Sequence, residues 1–190
     1  MVRSAKVVQA FRTRWLIRFG RTDTRRWGRH ASFDAAWSSR HRLIAAWVRP
    51  HDVVIDVGSG PRAFEGQLPD GCGYVPVDVV PRGPGSVVCD LNRDSLPDLR
   101  GDFVLMSGVL EYIHDVPRVL EWTARTAPRG AVSYASAELF PDRRDRRAHG
   151  WVNAYTESEI RAMLASAGWD VLEGAEWASQ HVYHLQARQA

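Results

Sequence analysis

At 190 residues, 45% of them hydrophobic, the chain can bury one sizeable core and leaves little room for a second. No apolar run approaches the roughly 18 residues of a membrane span, and the N-terminus lacks the apolar core of a secretory signal, so a cytoplasmic protein is expected. The formal charge is a modest +3, and the 2 cysteines, Cys72 and Cys89, lack Cys-x-x-Cys spacing, which argues against a disulfide framework and against a zinc or other metal site.

The charge is unevenly spread. Across the first thirty positions, arginines from Arg3 to Arg29 together with Lys6 face only Asp23. Such a segment suits nucleic acid, an anionic membrane surface or an acidic substrate, and equally a solvated helix face or an Arg-rich transit peptide. Lys6 is the only lysine, and the arginine excess runs through the whole chain, which speaks against the transit peptide. Within this segment Val8, Phe11, Trp15 and Phe19 recur at helical spacing, so it reads as an amphipathic helix whose apolar stripe needs cover. A second helix is predicted from Trp37, His41, Ile44 and Val48, stopped by Pro50. Residues 1–50 are therefore expected to form a helical cap on a body built from 51–190.

From Val53 the pattern alternates strand and helix, the signature of a doubly wound, mostly parallel α/β sheet. Strands are predicted at Val53–Val57, Tyr74–Val77, Ser86–Cys89, Phe103–Met106 and Ala131–Ala135, with helices at Pro61–Leu68 and Pro117–Thr126. Thr156-Glu157-Ser158-Glu159 is a capping box opening a helix to about Ala167, which Gly168 ends. Trp169–Glu173 and Val182–Ala187 then read as an antiparallel hairpin closing one edge of the sheet. Residues 140–154 carry no periodicity, and a stretch that long is expected to be a lid or binding loop. Its Arg143, Arg144, Arg146 and Arg147 fit either an exposed loop, since Asp142 and Asp145 interrupt the run, or a site attracting a phosphate or carboxylate. The tryptophans, among them Trp122, Trp169 and Trp177, are expected to serve packing. His181 and His184 lie three apart on a strand, so they leave opposite faces and share no metal.

The most informative stretch is VVIDVGSGPRAFEGQLPDGCGYVPVD, Val53 to Asp78. A strand breaking into Gly58-Ser59-Gly60 leaves bare backbone at the carboxyl edge of the sheet, and Asp78, twenty positions beyond Gly58, closes the next strand where it can accept from both hydroxyls of a ribose. The pattern marks a nucleoside-cofactor site. Gly58 to Ala63 also satisfies the G-x-G-x-x-A dinucleotide fingerprint, which keeps an NAD(P)-dependent oxidoreductase open as an alternative. Three features pull away from it. Asp56 puts a carboxylate where an amino-bearing ligand fits better than a pyrophosphate. Asp90 ends the third strand in position to meet an adenine edge. No Ser-Tyr-x-x-x-Lys set follows.

VIDVGSG, YVPVD, VVCDL and FVLMSGVLEYIHD, in that order and spacing, together with the tail YTESEIRAMLASAGWDV, make the chain resemble the class I S-adenosylmethionine-dependent methyltransferases. The resemblance implies a Rossmann-like methyltransferase fold and S-adenosylmethionine as cofactor. Carried over residue by residue, it implies that Asp56, Gly58 and Gly60 hold the methionine part, Asp78 the ribose, and Asp90 with Leu91 the adenine, with Ser59, Val79 and Ser107 as further cofactor-binding residues. Where many members have a third glycine this chain has Arg62, which either pairs with the methionine carboxylate or faces solvent. In SGVLEYIHD, Glu111 and His114 are the titratable groups nearest the expected acceptor and are the candidate catalytic residues. The bland alternatives are a carboxylate bound to backbone N–H groups for Glu111 and a helix-capping histidine for His114. Tyr112 stands where many relatives have histidine.

The expected function is methyl transfer from S-adenosylmethionine to a small molecule, with no nucleic-acid partner. The cap is expected to lay its apolar stripe over the cofactor cleft. A non-catalytic cofactor-binding or scaffold module with a basic N-terminus is the non-enzyme alternative.

Overall fold

The computed structural model describes residues 2–28 and 37–188. The N-terminal part comprises α1 (Val2–Arg18), the single turn α2 (Thr24–Trp27) and α3 (Trp37–Ala45). Then follow β1 (Val53–Val57), a 3-10 turn at Glu65–Gln67, β2 (Gly73–Asp78), β3 (Val87–Val88), β4 (Phe103–Ser107), a second 3-10 turn at Leu110–Tyr112, α4 (Val116–Thr126) and β5 (Arg129–Tyr134). The chain ends with α5 (Arg143–Ala148), α6 (Glu157–Ser166), β6 (Trp169–Trp177) and β7 (Gln180–Ala187). Among the described residues no helix is long and apolar enough to cross a membrane.

The strands form one sheet in the order β3-β2-β1-β4-β5-β7-β6. The first five are parallel, and β7 runs antiparallel to both β5 and β6, giving the predicted hairpin at one edge. Winding reverses between β1 and β4, so their carboxyl ends part around a crevice, the place where open α/β sheets bind ligands. The central strands β1, β4 and β5 are short and largely buried on both faces because alternate residues feed two cores. Within β4, Val104 and Met106 join Leu120, Ile160, Leu164 and Trp169 under α4 and α6. Phe103 and Leu105 turn the other way, to Ile44, Val48 and Phe64.

Local signals account for the helix ends. Asp115 caps α4 by accepting from Arg118 N at 3.2 Å, with Pro117 in the first turn. The capping box of α6 is complete: Thr156 Oγ1 accepts from Glu159 N, and Glu159 Oε2 accepts from Thr156 N at 2.7 Å. Trp122 and Trp169 are core residues, as expected, while Trp177 is half-buried and donates to Ser39 Oγ at 2.9 Å.

Four expectations need correction. No α-helix spans 61–68; Gly60 and Arg62 both have left-handed φ, +53° and +61°, so the chain turns tightly and keeps only the 3-10 turn before Pro69 and Gly71. The second helix ends at Ala45, with Val48 buried in the turn beyond it, and the side chain of Trp37 lies outside the described residues. The 140–154 stretch contains α5, capped by Asp142 and packed against α1. Lastly, the stripe on α1 is not covered: Val8 is 65% exposed, Phe11 74%, Trp15 49% and Phe19 58%. The helix turns its other side inward, where Leu16 and Thr13 are buried and Thr13 Oγ1 donates to Arg147 O at 2.8 Å.

Candidate active site

The crevice between β1 and β4 holds a cavity of about 400 Å³, the size of a nucleoside-cofactor pocket. Its floor is the turn after β1. Gly58 N and Ser59 N both donate to Val77 O, at 2.8 and 3.2 Å, which pulls the turn against β2. Gly58 has φ +75°, and a Cβ there would lie 2.5 Å from Val109 Cγ2, so the position admits no side chain. Gly60 N donates to Asp78 Oδ2 at 2.9 Å, fixing the turn to the acid that ends β2.

Three acids stand at the ends of successive strands. Asp56 is buried and accepts from Tyr74 OH at 2.5 Å; burial pushes its carboxyl up to about 7 against the opposing pull of that hydrogen bond. Asp78 accepts at Oδ1 from Val80 N and from Arg82 Nη2, which also reaches Trp27 O at 2.9 Å, and its Oδ2 pairs with the Arg82 guanidinium at 3.2 Å. Asp90 Oδ1 accepts from Asn92 N at 3.1 Å and from Thr22 Oγ1 at 2.5 Å, and Asn92 Nδ2 in turn donates to Thr22 Oγ1 and Tyr112 O.

All nine residues that the resemblance assigns to cofactor binding line this one cavity: Asp56, Gly58, Ser59, Gly60, Asp78, Val79, Asp90, Leu91 and Ser107. Ser59 Oγ and Ser107 Oγ are buried there with no hydrogen-bond partner among the described residues, hydroxyls that a polar ligand would satisfy.

The two candidate catalytic residues lie elsewhere. Glu111 is fully buried behind the cavity, where Oε1 accepts from Ala135 N at 2.8 Å and Gln180 Nε2 at 3.2 Å, and burial raises its carboxyl. It thus takes the backbone-bound alternative. Gln180 relays the contact, since its Oε1 accepts from Arg40 Nη1. His114 is half-buried beside the α4 cap, its backbone N bound to Asn92 Oδ1 and its Nε2 3.3 Å from Arg21 O, off the cavity wall. Arg62 also points away from the cavity, to Glu65 and to the carbonyls of Arg82 and Pro84.

Two neighbours on α3 line the cavity instead. Arg40 is buried on the wall; burial lowers its guanidinium pKa, opposed by the fields of Glu111, Tyr112 and Asp56. His41 lies beside it, edge-on to Phe64, and burial followed by the Arg40 charge pushes its imidazole down to about 4, so the ring is neutral at physiological pH. The apolar spacing of His41 with Ile44 signalled that this helix face turns inward, but nothing local distinguished the buried Arg40 from the surrounding surface arginines.

The charged stretch at 143–147 does not behave as one unit. Arg143 and Arg144 are exposed, whereas Arg146 is buried and donates to the carbonyls of Ser136, Phe140 and Asn153 and to Tyr134 OH. His181 bonds Ser136 Oγ at 3.1 Å, and His184 stacks on Trp47. Among the described residues no cluster of histidine, cysteine and acidic groups is placed to hold a metal ion.

A family model described as a methyltransferase domain matches residues 27–173, from the end of α2 into β6. Solved structures share the fold at low identity. A putative methyltransferase from Haloferax volcanii, in complex with the Trm112 methyltransferase activator, is 17% identical with a TM-score of 0.65, covering 88% of this chain and 95% of its own. The Burkholderia thailandensis 1,6-didemethyltoxoflavin-N1-methyltransferase, bound to 1,6-didemethyltoxoflavin and S-adenosylhomocysteine, is 20% identical with a TM-score of 0.64, covering 85% and 83%. An O-methyltransferase from neocarzinostatin biosynthesis, in complex with S-adenosylmethionine and 2-hydroxy-5-methyl naphthoic acid, is 20% identical with a TM-score of 0.64, covering 91% and 63%. A search of curated protein sequences gives no match. With most of the chain matched by the family model and the sheet wound as in these structures, the protein belongs to the methyltransferase domain family and has the fold of the class I S-adenosylmethionine-dependent enzymes.

Proposed function

We propose that this methyltransferase moves a methyl group from S-adenosylmethionine to a small-molecule acceptor. The observation that carries the reading is the single cavity in which the Gly58–Gly60 turn meets three strand-end acids. Each part of the cofactor has a suited neighbour. Asp56, ionised, pairs with the methionine ammonium, and Arg40 with its carboxylate. Asp78 accepts from the ribose hydroxyls, and Asp90 with Leu91 takes the adenine. The unsatisfied hydroxyls of Ser59 and Ser107 complete the cradle. When bound, S-adenosylmethionine supplies an activated methyl group, and the protein's main task is to align the acceptor with it. His41, neutral and on the cavity wall, is better placed than Glu111 or His114 to receive a proton from an acceptor. The small aromatic ligands named with two solved relatives support an acceptor of that size.

Residues 1–50 act as a cap in this reading, through Thr22, Trp27, Arg40 and His41 on the cavity wall rather than through the apolar stripe of α1. Calorimetric titration with S-adenosylhomocysteine tests the assignment. Asp78→Ala removes charge-assisted bonds and should weaken affinity roughly ten- to hundredfold. Equal affinities would overturn it, and tighter binding of NADH than of S-adenosylhomocysteine would favour the oxidoreductase.

A further inference from the structure

The exposed side of α1 combines two features that no contact within the described chain answers. Val7, Val8, Phe11 and Trp15, continued by Phe19 just past the helix end, form an apolar strip in which every member is about half exposed or more. The strip follows the three- and four-residue steps of one helix face. Arg14 and Arg18 extend the row of Val7 and Phe11 along its edge, both exposed, and exposed Arg21 holds its guanidinium 5.8 Å from the Trp15 ring. None of these three arginines forms an ion pair with a described residue.

The cations that do have acidic partners are on the other side of the helix. Lys6 meets Asp145 at 3.6 Å, and Arg12 meets Asp23 at 2.7 Å. Lys6 on Asp145 and Thr13 on Arg147 O hold α1 on α5, and Arg12 on Asp23 ties it to the cap of α2, so that its apolar strip faces outward. The outer face is therefore a band of large apolar side chains bordered by unneutralised arginines.

Charge decides what can cover it. A second copy would bring two cationic edges together. Nucleic acid would neutralise the arginines but leave Phe11 and Trp15 in water. An anionic bilayer surface answers both, with acyl boundary for the strip and lipid phosphate for its border. We propose that α1 docks the protein on an anionic lipid surface as an in-plane helix, with Val7, Val8, Phe11, Trp15 and Phe19 in the headgroup–acyl boundary and Arg14, Arg18 and Arg21 on lipid phosphates.

Vesicle co-sedimentation of the full-length protein tests this. Vesicles containing phosphatidylglycerol should bind at least roughly tenfold more tightly than vesicles of phosphatidylcholine alone, and the difference should shrink at high salt. The double variant Phe11→Glu/Trp15→Glu should lose vesicle binding while keeping wild-type affinity for S-adenosylhomocysteine, which reports that the body remains folded. Arg14→Glu/Arg18→Glu should lose the preference for anionic vesicles. Wild-type protein left in the supernatant with phosphatidylglycerol vesicles overturns the proposal. So does a solution dimer that Phe11→Glu/Trp15→Glu dissociates, or nucleic-acid binding in place of vesicle binding.

Discussion

Helices α1 and α4 carry similar messages in sequence and meet different fates. Each repeats large apolar residues at helical spacing. Yet α4 buries Val116, Val119, Leu120 and Trp122, whereas α1 keeps Val8, Phe11 and Trp15 in the open. The difference is connectivity. β4 precedes α4 and β5 follows within three residues, so the sheet on which α4 must lie is delivered at both of its ends. α1 is followed by the single turn α2 and by α3 rather than by a strand, and polar contacts orient it: Thr13 on Arg147 O, Gln9 and Arg12 on Asp23. An apolar stripe states that cover is needed; the neighbours in the chain determine whether the fold itself provides it.

The sharpest way to break this comparison is to truncate one residue from each stripe. Leu120→Ala should cost about 2–5 kcal/mol in urea unfolding, because it opens a cavity under the sheet. Phe11→Ala should stay within about 0.5 kcal/mol, as an exposed position. Equal costs would mean that the α1 stripe is covered in solution even without lipid.

A second measurement extends the contrast from apolar to charged groups. The carboxylates that hold α1 have basic partners close by, while Asp56 sits buried with its carboxyl raised to about 7. A carboxyl raised on folding is stabilising when protonated, so its contribution is full below the unfolded value near 3.8 and is lost as pH rises through about 7. Asp56→Asn should therefore gain on the order of 2–4 kcal/mol over wild type at pH 8, a gap that closes below pH ~4. A gap constant with pH would show that Asp56 is ionised throughout.

The smallest effect tests what holds α1 in place. Asp23, nearly buried, accepts from Gln9 Nε2, Arg12 Nε and Arg26 N. Asp23→Ala should cost roughly 1–2 kcal/mol, and the loss should be local. Hydrogen exchange should quicken along α1 and leave α4 amides unchanged. Equal quickening in both helices would show that α1 belongs to the global folding unit.

These contrasts also mark what the chain discloses in one dimension. The strands, the Gly58–Gly60 turn and the acids at 56, 78 and 90 were legible because each is a local pattern: β-branched runs ending in turn residues, with an acid at the break. The hairpin and the α6 capping box were legible for the same reason. The helix expected at 61–68 failed because Arg62 adopts a left-handed φ that a propensity argument does not foresee in a non-glycine residue. α5 was hidden because RRDRRA has no apolar period. Arg40, Thr22 and Arg82 escaped notice because their roles come from contacts across the sheet edge. Arg40 meets Gln180 from 140 positions away, and Thr22 meets Asp90 from 68.

Arg82 has a consequence of its own. One guanidinium binds both the Asp78 carboxylate and the backbone carbonyl of Trp27. The acid at the end of β2 and the segment leading out of α1 therefore draw on a shared donor, and any ligand that redirects Asp78 changes the hold on Trp27. Thermodynamic reciprocity then requires the converse: whatever fixes or loosens the segment before α3 alters affinity at Asp78 by the same factor. If α1 rests on a lipid surface, Arg82 on Trp27 and Thr22 on Asp90 are the contacts through which that surface would reach the cofactor pocket.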